Sequence, residues 1–538
     1  MDIITQINKA VEFAKKKDYK SADKIYQQVY KINPNNPVLL SLMGYLYLST
    51  KKYKKAEYFF EVAFNMTHSL SALAGLVNAK YALEKYEDAV PLLLELIKNE
   101  PKYEYYKKLT TILRNFVIFK RTCGYPNLAY EYGCQAIEIF PFKYKLFNDL
   151  AMICLYLAKF DEAEKYCQKS LNLNPKNADG LSILGLIYES VYLDNKNAQI
   201  CYRKSLRYDK KYSTYYNMAY SLSKTCDYSL ATRYFKKALK ISSNTEAIKL
   251  GIAFNYFRQR KFKQGYKYYI QQNDSSDVRK LKKLWDGKLH KNSTVFIYPD
   301  LAFGDHIMFM RYVPFLKKYF KKIKVYVLPS LRKIFENNFK EIEFVDKFPK
   351  YDYSMALSKL PYYLKMDFDN IPFASGYLSA SKADIHSDKL KIGICWEAGN
   401  ADIRSTIHRT ISINELKDIF DIDAEFYSLQ VNPSSNDYLD YNMINLGKDF
   451  KDFNDTAEAI NAMDIIISVD TSVANLAGAL GKKTFMLIPY YSDWRWFDNT
   501  VKTEWYNSIK LFKQTEKHTW NNEIQRIINE LTNLLTEC

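Results

Sequence analysis

The 538-residue sequence predicts two unlike halves, an α-helical repeat array followed by an α/β half with two parallel sheets. Three observations support this prediction. A small residue followed four places later by a bulky one recurs at intervals near 34 residues, as far as residue 269. Beyond residue 293 short β-branched runs alternate with helical stretches. Residues 1–290 contain 48 Lys and Arg against 27 Asp and Glu, a net charge of +21, whereas residues 291–538 contain 30 against 33, a net charge of −3.

The composition limits the class of protein. Apolar residues make up 48% of the chain and charged residues 26%, which is typical of packed globular domains. The N-terminus has no basic stretch followed by an apolar core, and charges interrupt the longest apolar runs. We therefore expect neither a signal peptide nor a transmembrane helix, and a cytoplasmic location. The eight cysteines include no C-x-x-C pair, which argues against a zinc site or a disulfide framework.

The first half repeats one helix-pair pattern eight times. Its small residues are Ala22, Ala56, Ala89, Ala129, Ala163, Ala198, Ala231 and Gly265. They are spaced by 34, 33, 40, 34, 35, 33 and 34 residues, and the unit of Ala129 is imperfect because Gly133 stands at its bulky position. Proline stands twelve residues after four of them, at Pro34, Pro101, Pro141 and Pro175. There it would end the second helix of a pair. With Gly44 and Tyr47 in a first helix, the pattern resembles the tetratricopeptide repeat (TPR).

We therefore expect a TPR-type α-solenoid of about eight units over residues 1–272. The 40-residue step implies an insertion around residues 102–124. Arrays of this kind stack their apolar faces and present a concave face that binds peptides or helices. A turn-forming cluster at residues 273–277 ends the period, so residues 273–293 are a predicted linker, with Trp285 packing at the junction.

The second half contains two series of β-branched runs. The first lies at residues 294–298, 324–328 and 342–345, and the second at residues 392–396, 425–429, 465–469 and 484–489. The runs of each series are separated by helical stretches. We therefore predict two Rossmann-like lobes, residues 294–388 and 389–538, with a cleft between them and a helix at the C-terminus.

Two loops of this half contain residues suited to chemistry. In the first, residues 300–305, Gly304 permits a tight turn, and Asp305 stands at the start of a helix predicted from about His306 to Tyr319. Asp305 can cap that helix or face the cleft as a base, and the local sequence favours the cap. In the second, Asp470, Thr471 and Ser472 follow a buried strand and precede a helix. This position combines backbone N–H groups, hydroxyls and the positive end of the helix, which favours a phosphate site. The alternative role, capping of the helix by Asp470 or Thr471, is compatible with a phosphate site.

Other motifs are absent or weak. The sequence has no G-x-G-x-x-G and no Walker lysine loop, since the glycines before Lys482 have the wrong spacing. The D-x-D pairs at residues 367–369 and 421–423 do not follow clear buried strands. We therefore expect neither a metal nor a redox cofactor.

Three segments of the second half resemble a known group of enzymes. Residues 303–314, residues 468–474 and the Asp-Trp-Arg-Trp run at residues 493–496 are similar to those of bacterial TPR glycosyltransferases. The catalytic half of these enzymes is similar to the ADP-heptose:lipopolysaccharide heptosyltransferases. The resemblance covers about residues 285–520. It implies a GT-B fold, with an acceptor-side lobe first, a nucleotide-sugar lobe second and no required metal.

The resemblance also implies roles for individual residues. Asp305 corresponds to the general base, and Gly304, Trp494 and Arg495 support the cleft. For Trp494 and Trp496, packing between lobes is an equal alternative. The residues implied to bind the donor are Trp396, Arg409, Gln430, Asp470, Thr471, Ser472 and Asn475. Among them, Arg409 would offset charge on the departing phosphate.

Two positions depart from the family pattern. Ala302 stands where a second glycine is frequent, and Asn475 stands where histidine is usual, which leaves an amide in place of a titrating ring. Neither change removes the implied base, but neither allows the identity of the donor to be carried over.

The sequence thus predicts a glycosyltransferase that moves a sugar from a nucleotide-sugar to a protein acceptor, flagellin-like by the resemblance, captured by the basic TPR array. Whether the sugar is a hexose, a heptose or a nonulosonic acid is left open. One alternative is a transferase that acts on a lipid-linked saccharide, with the array on an anionic membrane surface. Another is a non-catalytic TPR scaffold. The positive charge also fits an ordinary solvated lysine surface, and no motif indicates nucleic-acid binding.

Overall fold

A computed structural model describes residues 3–119, 125–243, 245–271, 283–367, 370–399, 408–497 and 501–537. Two compact units divide the chain. The first comprises Met1–Val191 with Arg207–Asp209, and the second comprises Tyr192–Leu206 with Lys210–Cys538. The division falls within the helical repeats rather than at the predicted linker, so the second unit contains the last repeats together with both sheets. The predicted turn cluster at residues 273–277 lies outside the described residues.

Sixteen α-helices precede the first strand in the part of the chain that the structure describes. They are α1 Ile3–Lys15, α2 Tyr19–Ile32, α3 Pro37–Ser49, α4 Tyr53–Thr67, α5 Leu70–Ala82, α6 Tyr86–Asn99, α7 Tyr103–Phe119, α8 Tyr125–Ile139, α9 Tyr144–Tyr156, α10 Phe160–Leu173, α11 Ala178–Ser190, α12 Asn195–Tyr208, α13 Tyr212–Lys224, α14 Tyr228–Ile241, α15 Glu246–Arg258 and α16 Phe262–Tyr269.

The repeated small residues all lie on the even-numbered helices, the second helix of each pair, and all are buried. Their size lets paired helices approach closely. At Gly265, for example, an added Cβ would come within 2.4 Å of the Phe257 ring on the preceding helix. The helices α2, α6, α8 and α10 each end two residues before a proline, because proline lacks the N–H that a further turn needs. Helix α7 has 17 residues whereas α5 has 13, which accounts for part of the 40-residue spacing between Ala89 and Ala129.

The first sheet has four parallel strands. They are β1 His290–Tyr298, β2 Phe320–Tyr326, β3 Glu343–Val345 and β4 Tyr353–Ala356, in the order β3-β2-β1-β4. Its helices are α17 Phe303–Met310, α18 Pro329–Asn338 and α19 Leu360–Tyr363. The single helix predicted from about His306 to Tyr319 is wrong. It begins earlier, ends at Met310 and is followed by a 3-10 turn over Val313–Lys318, because Pro314 cannot continue an α-helix.

The second sheet has six parallel strands. They are β5 Leu390–Cys395, β6 Ala424–Ser428, β7 Ile444–Asn445, β8 Ile465–Val469, β9 Thr484–Ile488 and β10 Ile509–Lys513. The order is β10-β9-β8-β5-β6-β7, which is the doubly wound order of a Rossmann sheet. Its helices are α20 Phe453–Ala462, α21 Ser472–Ala479 and α22 Asn521–Glu537.

Both sheets reverse their winding direction next to their first strand. The reversal lies between β1 and β4 in the first sheet and between β5 and β8 in the second. In open parallel sheets, ligands bind beyond the carboxyl ends of the strands at such a reversal. The loops after β1, β5 and β8 are therefore the places to look for a site. No helix among the described residues is long and apolar enough to cross a membrane.

Candidate functional site

A cavity of about 630 Å³ lies where the strand-end loops of the two sheets meet. Its volume is in the range of small-molecule sites. The structure brings nine of the eleven predicted site residues to its wall: Gly304, Asp305, Arg409, Gln430, Asp470, Thr471, Ser472, Asn475 and Arg495. They come from the loops after β1, β5, β6 and β8, and from the segment after β9.

Asp305 is the third residue of α17, and it does not cap that helix. The N-cap position belongs to Ala302, which makes no side-chain bond. The Asp305 carboxylate instead accepts a hydrogen bond from the Arg495 guanidinium. The cap favoured by local sequence is therefore wrong, because the partner that holds this carboxylate lies 190 residues further along the chain.

Arg495 joins two carboxylates. Its Nη2 donates to Asp305, and its Nη1 donates to Oδ1 of Asp493 at 2.7 Å. Burial raises the pKa of Asp305 above its ordinary value, although the Arg495 charge opposes this. Burial is also the largest single effect on Asp493, but the Arg495 charge, the hydrogen bonds from Arg495 and the Arg258 charge together outweigh it and leave the pKa of Asp493 below the ordinary value. The two carboxylates that share one guanidinium therefore differ in acidity.

A second buried ion pair lies beside β8. Arg409 Nη1 donates to the Asp470 carbonyl at 3.4 Å and lies 3.8 Å from Asp470 Oδ2. Burial raises the pKa of the Asp470 carboxyl, and the Arg409 charge opposes this. Asp470 is 8% exposed, so its charge has little contact with solvent. The pair fixes the loop that leads into α21.

The N-terminus of α21 borders the cavity. Thr471 is its N-cap in extended conformation, and its Oγ1 accepts from the Ala474 N–H at 3.4 Å. Of the two capping candidates, Thr471 is the one that caps. The N–H groups of a first helical turn have no partner inside the helix, and together with the helix dipole they attract anions. Ser472 adds a hydroxyl to the same wall.

Gly304 serves a different purpose from the one predicted. Its φ does not lie in the left-handed region, so no tight turn requires glycine there. An added Cβ would meet Asn475 Nδ2 at 3.0 Å and Ser472 Cα at 3.6 Å. The absent side chain thus lets α17 and α21 approach each other. Asn475 itself is held by bonds to the Thr471 carbonyl at 2.9 Å and the Tyr506 hydroxyl at 3.3 Å.

Gln430 is oriented by the loop after β5. Its Oε1 accepts from the Glu397 N–H at 3.0 Å and from the Cys395 thiol at 3.2 Å. Glu397 also lines the cavity, and its carboxylate accepts from the N–H and the hydroxyl of Ser434.

The sequence prediction omitted Glu397, Lys451 and Asp493, which all line the cavity. The signal for Asp493 was available, because it opens the Asp-Trp-Arg-Trp run. The signal for Lys451 was weaker, since this lysine only precedes the cap of α20.

Two predicted residues lie outside the cavity wall. Trp396 is 2% exposed and packs in the core of the second sheet, with its ring 5.8 Å from that of Tyr438. Trp494 is 3% exposed and packs on α15, with ring centroids 5.7 Å from Phe254 and 4.8 Å from Phe257. Trp494 is thus packed against the repeats, and not between the two lobes as the alternative had it. Trp285 is buried against Tyr319 and against Phe320, the first residue of β2.

The described residues contain no group of three or more His, Cys, Asp or Glu side chains arranged to hold a metal ion. Of the two D-x-D pairs, Asp369 lies outside the described residues, and Asp423 forms an ion pair with Lys389 at 2.6 Å.

Comparison with known proteins bears on the helical repeats. The tetratricopeptide repeat family model matches residues 5–36, 144–177 and 212–245. These segments coincide with the pairs α1–α2, α9–α10 and α13–α14, so the chain contains tetratricopeptide repeats. A TPR repeat-containing protein of Methanocaldococcus jannaschii is 28% identical over 190 residues, which are 32% of this chain and 32% of that protein. The chain thus matches about a third of that relative's length.

Solved structures of repeat proteins are similar as well. A tetratricopeptide repeat protein from Parabacteroides merdae has 17% identity and a TM-score of 0.40, over 47% of this chain and 98% of that one. YrrB, described as a TPR protein with an unusual peptide-binding site, has 17% identity and a TM-score of 0.30, over 35% and 94%.

Proposed function

We propose that the chain is a glycosyltransferase of the GT-B type, which transfers a sugar from a nucleotide-sugar to a protein acceptor. One observation supports this more than any other. The cavity brings a carboxylate with a raised pKa, Asp305, together with an anion-attracting helix N-terminus at Thr471 and Ser472, where two parallel sheets reverse their winding. A base and a phosphate site in one cavity are what transfer from a nucleotide-sugar needs.

In this proposal the second sheet holds the donor. The diphosphate lies at the N-terminus of α21, and Arg409 offsets charge on it. The Asp305 carboxylate accepts the proton of the acceptor hydroxyl while that oxygen forms a bond to the anomeric carbon. The bond between the anomeric carbon and the phosphate oxygen breaks, and its electron pair leaves with the nucleotide. No metal takes part in these steps.

Arg495 is a positioning residue for this reaction. It fixes the Asp305 carboxylate and moderates the rise of its pKa through its charge. A base whose pKa lies above the usual carboxyl range transfers protons more effectively near neutral pH. Because the base must be ionised, the rate of transfer is expected to rise with pH through the pKa of Asp305.

The acceptor would be a protein captured by the tetratricopeptide repeats, and a flagellin is the first candidate. The supporting observation is that one chain carries the repeats and the α/β half, and that the last repeats lie in one compact unit with both sheets. The net charge of +21 on residues 1–290 favours an acidic acceptor surface.

The test has two stages. A thermal-shift screen of nucleotide-sugars first identifies donors, because a ligand of the folded state raises its melting temperature. Radiolabelled donor is then incubated with flagellin and with wild type or Asp305→Asn. We expect label on the acceptor with wild type and a loss of about a hundredfold or more with the variant. Asp449→Asn, an exposed aspartate outside the cavity wall, is the matched control and should transfer normally.

Two outcomes would reject the proposal. One is equal transfer by wild type and Asp305→Asn. The other is the absence of nucleotide-sugar binding together with tight peptide capture, which would identify the chain as a TPR scaffold.

A further inference from the structure

A second cavity, of about 610 Å³, lies at the carboxyl ends of β9 and β10. Tyr490 and Tyr491, which follow β9, line it together with Lys513, the last residue of β10. Helices α13 and α22 supply Lys224 and Arg526 to the same wall. In the part of the chain that the structure describes, this cavity shares no wall residue with the candidate site. It is therefore a separate cavity of similar volume.

The charges of this wall have one sign. Lys224, Lys513 and Arg526 line the cavity, and none of the described wall residues is Asp or Glu. Lys513 and Arg526 belong to residues 291–538, where acids outnumber bases, so the lysine surplus of the first half does not account for them. A cavity lined by charges of one sign concentrates their field and attracts ions of the opposite sign. The wall thus favours an anion.

Arg526 is available to such an anion. Glu523 precedes it by one turn of α22, which is a spacing at which ion pairs form. The Glu523 carboxylate is buried and instead accepts from the N–H of Thr515 at 3.0 Å and from its hydroxyl at 2.8 Å. The Arg526 guanidinium lies 5.2 Å from the centroid of the Phe512 ring and forms no ion pair with a described residue. Arg526 is exposed, so a dissolved ligand can reach it.

The rest of the wall suits the organic part of a ligand. Tyr490, Tyr491, Val501 and Leu511 contribute aromatic and apolar surface. The two tyrosine rings are 4.9 Å apart and nearly perpendicular, and Lys224 Nζ lies 5.8 Å from the centroid of the Tyr491 ring. A positive charge and an aromatic ring therefore adjoin in one wall. Nucleotide bases stack on aromatic side chains, and phosphates pair with arginine and lysine.

We propose that this cavity binds an organic diphosphate of the nucleoside diphosphate class. Arg526, Lys224 and Lys513 pair with its phosphate groups, and Tyr490 and Tyr491 contact its organic part. A planar guanidinium can donate two parallel hydrogen bonds to one phosphate. The volume of the cavity accommodates more than an inorganic ion. This site is additional to the proposed transfer reaction and does not depend on it.

Cys226 gives a local readout in the full chain, because it is an exposed residue of this wall. The other cysteines that the structure describes are buried or partly buried. Alkylation of Cys226 is followed by mass spectrometry of its peptide. Iodoacetate is anionic and iodoacetamide is neutral, so the ratio of their rates reports the electrostatic potential at the thiol and cancels changes in its own reactivity. Arg526→Gln should lower this ratio about twofold. Lys483→Gln, which removes an exposed charge just before β9 and outside the wall, should leave it unchanged.

Adenosine diphosphate is the probe for binding. At millimolar concentration it should slow the alkylation of Cys226 by iodoacetamide in wild type and in Lys483→Gln. In Arg526→Gln and in Lys513→Gln, the concentration that gives half of this protection should rise about tenfold. Adenosine, which has no phosphate, should not protect. Inorganic pyrophosphate, which has no aromatic part, should protect only at higher concentration than adenosine diphosphate.

The inference is overturned if adenosine diphosphate leaves the alkylation of wild type unchanged, or if it protects both variants as it protects wild type. Equal protection by adenosine would also overturn it, because the cations would then take no part in binding. Equal protection by pyrophosphate would overturn the assignment of an organic ligand.

Nucleotide-sugar binding to Arg526→Gln, measured by thermal shift, separates this proposal from the proposed function. Arg526 does not line the larger cavity, so the variant should keep the donor affinity of that cavity. If the variant binds no nucleotide-sugar while adenosine diphosphate protects Cys226 in wild type, the second site stands and the proposed transferase activity fails. If the variant binds nucleotide-sugars and Cys226 of wild type is not protected, the reverse holds.

Discussion

Replacing Arg495 by methionine should destabilise the α/β half, and more so at alkaline than at acidic pH. The guanidinium is the shared partner of the Asp305 and Asp493 carboxylates, and its side chain is 17% exposed against 16% for that of Asp305. Methionine keeps much of the side-chain volume but removes the charge. Breaking a buried pair from one side costs about 3–5 kcal/mol, because a charge is left without compensation in a poorly hydrated place.

The pH dependence follows from the two carboxyl groups. Without Arg495, burial acts unopposed on Asp305, so its folded-state pKa rises further above the ordinary value. A carboxyl group whose pKa is higher in the folded state contributes stability while it is protonated, and this is lost as the pH rises through the folded pKa. Asp493 has a lowered pKa in wild type, so it contributes stability above its unfolded pKa, and the variant loses that contribution. Both effects lower the free energy of unfolding of the variant most at high pH.

Tryptophan fluorescence during urea unfolding provides the assay. All six tryptophans lie at or beyond residue 285, so the signal reports on the part of the chain that contains the two sheets. We expect Arg495→Met to lose about 3–5 kcal/mol at about pH 8 and clearly less at about pH 5. Arg332→Met is the control, because Arg332 pairs with the exposed acids Glu336 and Asp346 and should cost at most about 1 kcal/mol.

A double variant sharpens the result. Asp305→Asn combined with Arg495→Met removes one of the two charges that the single variant strands, so it should be more stable at high pH than Arg495→Met alone. The reasoning is refuted if the single variant loses the same free energy at both pH values, or if the double variant shows the sum of both losses.

Two further predictions concern buried residues of α17 and α21, the helices that begin at the cavity. Burial lowers the pKa of His306 from 6.5 to about 4, so wild-type stability should fall by roughly 3 kcal/mol as the pH drops through that window. Replacement of His306 by leucine should abolish this acid sensitivity in urea titrations, and equal pH profiles would contradict it. In Gly478→Ala, the new Cβ would come within 2.5 Å of the Tyr506 ring, which should cost about 1–3 kcal/mol as a lowered thermal midpoint. Gly399→Ala, with no atom within 4 Å of its Cβ, should leave the midpoint unchanged.

The repeats and the central strands could be predicted from sequence because their signals are local. Each small residue of the repeats stands where helix packing demands it, and the run predicted at residues 465–469 coincides with β8. The strands that the sequence did not reveal, β4, β7 and β10, all lie at sheet edges. Edge strands are often short or carry charged side chains, as β7 with two residues and β10 with Lys510 and Lys513 illustrate. Their hydrophobic pattern is correspondingly weak.

The candidate site was predictable in its loops but not in its contacts. A strand followed by a polar loop and a helix indicates which residues reach the carboxyl edge of a sheet, and this brought Asp305 and Asp470 to one cavity. Which group holds the Asp305 carboxylate depends on the tertiary fold, so local sequence favoured a helix cap over Arg495. The packing of Trp494 likewise depends on the tertiary fold, because the rings it packs against lie in the repeats and not in the sheet that precedes it.

The two carboxylates that form ion pairs with Arg495 differ in acidity. Asp305 and Asp493 are both acceptors for Arg495, yet the pKa of Asp305 is raised and that of Asp493 is lowered. When the surroundings of two neighbouring acids drive their pKa values apart, the acid with the higher pKa holds its proton to a higher pH than the other. Asp493 is therefore the stronger acid of the two, and its carboxylate accepts a hydrogen bond that holds Arg495 in place. The raised pKa leaves Asp305 as the better proton acceptor of the two, which is what the proposed base requires.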